Sequence, residues 1–299
     1  MKLVPALVAV IAVASGGWRS EPPLPVARTE VAAAVSGEEI VVAGGYLADG
    51  STTARVDLYQ PVRRTWRQGP DLPAPLNHAA AATLSGRAVV VGGYGSRGPT
   101  RTAVVLDGGR WKRLPSLPYT RAAAGAVALA GRLYVVGGVT NGGLARSMLM
   151  YGPGTGRWLP LPGPTPRQHL AATPARGRVY AIAGRSAGFD TNVAIVESWA
   201  PGERHWRREM ALPEARGGTG AAALAGMIVS VGSEAPAGTS GAVFGLDLRS
   251  GRWSRLPDLP TPRHGLGVVA FRGAVYVIGG GPHPGLTVTG VNESSRFEP

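Results

Sequence analysis

The hydrophobic pattern of this chain is a row of six short apolar runs, each stopped by two small residues. The runs end in Val42-Ala43-Gly44-Gly45, Val90-Val91-Gly92-Gly93, Val135-Val136-Gly137-Gly138, Ala181-Ile182-Ala183-Gly184, Ser230-Val231-Gly232-Ser233 and Val277-Ile278-Gly279-Gly280. The first small residue of each recurs every 45 to 49 residues. A fixed period in this range marks a repeat architecture. A tryptophan precedes each pair by 25 or 26 residues: Trp18, Trp66, Trp111, Trp158, Trp206 and Trp253. Of seven tryptophans, six sit on this lattice, so the lattice sets where the elements fall.

Each repeat follows one plan. A proline-rich corner comes after the tryptophan, as in Leu72-Pro73 or Leu259-Pro260. Proline fixes φ and cannot donate to a ladder, so the corners separate strands. Sixteen residues before each small pair stands Arg28, Leu76, Arg121, Arg167, Arg216 or Arg263. Five arginines in six repeats argue for a structural role, expected as hydrogen bonding to carbonyls between neighbouring sheets. A strand of Ala, Gly and Val follows, then a turn glycine, then the apolar strand that ends in the pair. Small residues suit an innermost strand where sheets crowd. A third strand closes on an aromatic in several repeats (Tyr59, Tyr151, Trp199), and the tryptophan seven residues later marks the fourth.

Four short antiparallel strands cannot bury both faces alone, whereas six such sheets arranged radially can. The pattern predicts an all-β, six-bladed β-propeller with blades at about 21–68, 69–114, 115–161, 162–209, 210–256 and 257–299 plus 15–20. The last repeat has no fourth strand of its own. Residues Ser15-Gly16-Gly17-Trp18 read like Ser250-Gly251-Arg252-Trp253, so the N-terminal strand is expected to complete the sixth sheet and remove its open edge.

Paired glycines after an apolar strand, an aromatic about fourteen residues on and a tryptophan seven further resemble the kelch repeat, over residues 15–299. The resemblance implies a kelch β-propeller. It says little about function, because function lives in the site grafted on the fold. Ala183 and Ser233 stand where glycine belongs, and Leu76 stands where arginine belongs.

Composition narrows the chemistry. No cysteine occurs in the 299 residues, which excludes disulfides, thiolate metal sites and a cysteine-linked tyrosine cofactor of the galactose oxidase kind. The formal charge is +13, almost all from scattered arginine, and no basic run or helix points to nucleic acid. Met1-Lys2 followed by an apolar stretch from Leu3 to Ala14 reads as a signal peptide (1–14) with Ala12-Val13-Ala14 as its cleavage site. The stretch is shorter than the roughly 20 residues of a membrane span. An exported monomer starting near Ser15, with no stable membrane span, is expected.

The resemblance also places a candidate site. In kelch domains that read peptides, pocket residues lie at the start of the innermost strand and just after the glycine pair. Carried over, the first set here is Thr29 and Glu30, Asn77 and His78, Ala122 and Ala123, Gln168 and His169, Gly217 and Gly218, and His264 and Gly265. The second is Tyr46, Tyr94, Val139, Arg185, Glu234 and Gly281. The expected ligand-binding residues are Glu30, Tyr46, Asn77, His78, Tyr94, Gln168, His169, Arg185, Glu234 and His264. This mix of acid, base and aromatic suits a carbohydrate or a neutral polar ligand better than an acidic peptide. His264 is one step out of phase with His78 and His169, so no metal site is expected. Gly93-Tyr94-Gly95-Ser96-Arg97-Gly98 fits a dinucleotide fingerprint, but Pro99-Thr100-Arg101 follows where a helix is required, and no cofactor is expected.

Two functions remain. One is an exported binding module for a glycan or protein at the cell envelope. The alternative is a sugar mutarotase or epimerase, since the chain is similar in size and topology to exported N-acetylneuraminate epimerases. That likeness implies Glu234 and Glu30 as acid and base, and Arg185 as the cation for a sugar carboxylate.

Overall fold

The computed structural model describes residues 17–297 apart from residue 225. The signal-peptide expectation lies outside these residues. Six four-stranded antiparallel sheets form a β-propeller, and no helix occurs among the described residues. The innermost strands are Ala32–Ser36, Ala80–Leu84, Gly125–Leu129, Ala171–Ala175, Gly220–Leu224 and Gly267–Phe271. The apolar second strands, such as Arg132–Val136, are buried along at least four of their five residues, because each is covered by a neighbouring blade on both faces.

Crowding explains the small inner residues. A Cβ on Gly125 would come within 2.4 Å of the Ala172 Cβ in the next blade, closer than real atoms approach. The small pairs have a similar cause. Gly45 has φ +103°, and a Cβ there would sit 2.5 Å from the Thr29 carbonyl oxygen. Ala183 takes the first place of its pair at φ +56°, a left-handed conformation alanine can adopt at a cost.

The ring closes as the repeat phase requires. Arg19–Glu21 pairs antiparallel with Asn292–Ser295 and completes blade six. Trp18 packs edge-on against Phe297 with ring centroids 5.6 Å apart. Its indole N–H donates to the Pro257 carbonyl at 2.9 Å. The other five lattice tryptophans repeat this bond, to Pro22, Pro70, Pro115, Pro162 and Met210. Each outer strand is thus tied to the corner that leaves the preceding blade.

The repeat arginines are structural, but their side chains bond within a blade rather than between sheets. Arg167 donates to the carbonyls of Ala181 and Ala183 and pairs with Glu197. Arg263 does the same with Val277, Gly279 and Glu293, and Arg28 pairs with Asp57 at 2.9 Å. All are essentially fully buried. The bond between blades is made by the backbone instead. The second residue of each pair donates its N–H to the carbonyl at the arginine position of the next blade, as Gly93 does to Arg121 at 2.8 Å. That bond needs no particular side chain, so Leu76 serves it as well as arginine, accepting from Gly45.

Candidate functional site

Two residues past each arginine position the chain turns left-handed. Glu30, His78, Ala123, His169, Gly218 and Gly265 all have φ between +49° and +68°. Their backbones form a belt around the channel axis. His78 N–H donates to the Glu30 carbonyl, Ala123 to His78, His169 to Ala123, Gly218 to His169 and Gly265 to Gly218, at 2.9 to 3.1 Å. Val31 N–H closes the ring on Gly265 at 3.3 Å. These six residues line a cavity of about 110 Å³ at one end of the channel.

One residue earlier, the chain ladders against the residue after the small pair of its own blade. Thr29 bridges Tyr46, Asn77 bridges Tyr94, Ala122 bridges Val139, Gln168 bridges Arg185 and His264 bridges Gly281. In blade five Glu234 N–H donates to the Gly217 carbonyl at 3.0 Å. These ladders bring the two sequence sets into one mouth.

Within it the side chains form a connected polar cluster. Glu30 Oε2 lies 3.3 Å from His78 Nε2, and Glu30 Oε1 lies 3.5 Å from His264 Nδ1. His264 Nδ1 also lies 3.2 Å from Glu234 Oε1. The His78 and His169 rings meet edge to face at 4.9 Å. Tyr94 and Tyr46 pack edge-on against His78 at 5.5 and 5.9 Å. Asn77 Oδ1 lies 2.7 Å from His78 Nδ1, while its amide donates to Thr52 Oγ1. His169 Nδ1 is buried without a hydrogen-bond partner among the described residues.

The electrostatics follow from burial and from these neighbours. Burial works to raise the Glu30 carboxyl, but His78, His264 and His169 outweigh it and hold Glu30 far below the usual range. Burial lowers His78 despite Glu30, and takes His169 down to about 3 with help from His78. His264 goes the other way: burial pulls it down, but Glu30 and Glu234 on either side prevail and raise it. At neutral pH the centre therefore holds an ionised carboxylate and two neutral imidazoles. Burial and Glu30 together raise Tyr46, which stays a neutral hydroxyl.

Arg185 and Glu234, the expected acid-and-cation pair, meet at 2.7 Å and are both buried. Glu234 accepts from Arg185 and from Gly285 N–H, and Asn192 bonds both members of the pair. Their charges answer each other, so Arg185 has a partner already. Gln168 stands apart and donates to the carbonyl of Ala187, on the loop between the second and third strands of its own blade.

Repeat phase did not point to Thr52, Asn192 or the His283 carbonyl, which lies 3.1 Å from His264 Nε2. All three lie on loops between second and third strands. The signal for the loops of blades one and four was present, since their repeats are the longest, at 48 and 49 residues. Two groups could hold a cation: Glu30, His78 and His169, and Glu30, Glu234 and His264. Within each, the candidate ligand atoms lie within 4.8 Å of one another.

The comparisons with known proteins agree with this architecture. Residues 27–73 and 120–165 match the Kelch motif. The chain is 31% identical over 155 residues to the Kelch-like protein terF of Aspergillus terreus, a match covering 50% of this chain. It spans only 33% of that relative's length. Among solved structures, that of YjhT superposes with a TM-score of 0.78 at 15% identity, covering 91% of this chain and 95% of the other. The fold is a six-bladed β-propeller with a polar mouth. The chain carries the Kelch motif in two stretches and is similar in fold to a solved β-propeller.

Proposed function

We propose that this chain is an exported binding module that recognises a carbohydrate at the channel mouth. The supporting observation is the convergence there of Glu30, His78 and His169 with two tyrosines, Tyr46 and Tyr94. Tyrosine faces pack on the apolar faces of sugar rings, and the acid and imidazoles offer acceptors and donors to hydroxyls. The ligand rests on the tyrosines and lowers one hydroxyl-bearing edge into the small cavity. A protein partner would use the same mouth through a polar loop.

Calorimetry against hits from a glycan array tests the reading. A Tyr46→Ala, Tyr94→Ala double variant should lose about tenfold or more in affinity, the loss expected from removing two aromatic contacts. Unchanged affinity would move the site off the mouth. Export is tested by sequencing the N-terminus of secreted protein, expected to begin at Ser15.

One observation favours the mutarotase alternative. His264 sits within 3.5 Å of both Glu30 and Glu234, an acid–base arrangement able to pass a proton. The closed Arg185–Glu234 pair weighs against it, because a sugar carboxylate needs a free cation. NMR of freshly dissolved N-acetylneuraminic acid decides: anomer exchange no faster than in buffer would leave binding alone.

A further inference from the structure

We propose that Glu30, His78 and His169 bind one divalent transition-metal cation of the Zn²⁺ class at the top of the channel, with its remaining coordination positions facing the mouth. The claim is separate from carbohydrate recognition, since either can hold without the other.

The argument begins with the tautomer of His78. Asn77 donates through its amide to Thr52 Oγ1 at 2.8 Å, which leaves Asn77 Oδ1 as an acceptor. That oxygen lies 2.7 Å from His78 Nδ1, so Nδ1 carries the proton. His78 Nε2 is then a bare lone pair, and it faces the Glu30 Oε2 atom at 3.3 Å. Two acceptors at that distance repel unless something positive lies between them. His169 approaches the same point from the opposite side of the ring, its imidazole 4.9 Å from that of His78. It brings a buried Nδ1 with no hydrogen-bond partner among the described residues. One ligand atom from each of the three residues fits within a 4.8 Å span.

The donor set agrees with this. Two imidazoles and one carboxylate make a common three-ligand arrangement for Zn²⁺ with an open position, and the same set suits other first-row divalent cations. A hydrogen bond to the far nitrogen of a ligating histidine orients it and raises its basicity, which is what Asn77 does for His78. Ala123, Gly218 and Gly265 occupy the other three ring positions and leave the space clear. The cavity of about 110 Å³ has room for an ion with a few waters, at about 30 Å³ per water.

The rival occupant of the gap is a second proton on His78, and a rival cation site is Glu30, Glu234 and His264. The experiment separates all three. Purified full-length protein is stripped with a chelator and titrated with Zn²⁺ alone by calorimetry, with Co²⁺ absorption reporting the geometry. One equivalent is expected to bind. His78→Ala and His169→Ala should each weaken binding by at least ~100-fold, and Asn77→Ala by ~10-fold, as loss of an orienting partner does. Ala123 already occupies this ring position with φ +49°, so these variants have a native precedent for folding, and circular dichroism checks it. His205→Ala, on the exposed surface, should bind as the parent does. The proposal is overturned if the parent takes up no stoichiometric Zn²⁺. It is equally overturned if binding survives His169→Ala but is lost in Glu234→Gln, which would place the cation at His264.

Discussion

The buried pair Arg167–Glu197 invites a test that the protein has already run in another blade. Arg167 is fully buried, and Glu197 accepts from its guanidinium and from the Thr165 N–H and hydroxyl. In blade two the equivalent positions hold Leu76 and Val104, both buried and both apolar. Replacing Glu197 by Val should therefore be severe, because it strands a buried guanidinium. Breaking one partner of such a pair costs about 3–5 kcal/mol. Replacing Arg167 by Leu strands the carboxylate and should cost a similar amount. The double variant Arg167→Leu, Glu197→Val copies blade two and leaves no unpaired charge. It still removes the donors to the Ala181 and Ala183 carbonyls, at about 1 kcal/mol each. Blade two covers its equivalent of the latter, since Thr100 Oγ1 donates to the Gly92 carbonyl at 2.9 Å. The double variant should thus lose only about 2 kcal/mol, less than either single change. Urea unfolding of all four proteins gives the coupling energy, expected to exceed about 2 kcal/mol. Additive losses would refute the account of the arginines as charges held by their blade partners.

Arg121 is buried with no acid beside it among the described residues, and burial takes its guanidinium down to about 10 from 12.5, a penalty of about 3 kcal/mol. Arg121→Leu should therefore be neutral or stabilising in thermal melts, and a loss above about 2 kcal/mol would contradict this. His169 has a folded pKa of about 3 against 6.5 when unfolded, so the unfolded chain binds more protons below pH 6.5 and stability falls as pH drops towards 3. Between pH 7 and 5 the loss from this group is about 2 kcal/mol, and His169→Ala should abolish that share of the pH dependence in urea titrations; an unaltered dependence would count against a neutral buried imidazole. Gly45→Ala places a Cβ 2.5 Å from the Thr29 carbonyl at φ +103° and should cost about 3 kcal/mol or prevent folding, while a wild-type melting temperature would show the pair is not sterically required.

The ring and its closure were legible because they are periodic. A repeat announces itself through residues that every blade needs, such as the tryptophan that reaches back to the preceding corner and the glycine that passes the next blade's carbonyl. The phase of Trp18 placed it in the last blade, where it packs on Phe297. The arginine partners were not legible. Asp57, Glu197 and Glu293 lie about thirty residues from their arginines and occur in only three blades, so they carry no period. The mouth was legible as a set of positions but not as a cluster. Nothing in repeat phase says that Glu30 and His169, from blades on opposite sides of the ring, meet His78 at the axis, or that Arg185 closes on Glu234. Those contacts depend on side-chain length measured against the width of the belt.

That belt supplies the reason to look for function where the side chains are. It requires six left-handed residues, and Gly218 and Gly265 meet the requirement with no side chain at all. Alanine meets it at Ala123. The backbone bonds therefore have no need of Glu30, His78 or His169. Each of these holds a strained φ that costs on the order of 1 kcal/mol, and each adds the desolvation of an ionisable group. A folding argument alone would place glycine at all three. Replacing Glu30, His78 and His169 together by Gly should leave the propeller folded and within about 1 kcal/mol of the parent or above it, because relieved strain and desolvation offset the added freedom of the unfolded chain. The same variant should lose binding at the mouth. Urea unfolding should show stability kept while calorimetry shows binding lost. A triple variant that unfolds would show instead that the three side chains are part of what holds the ring shut.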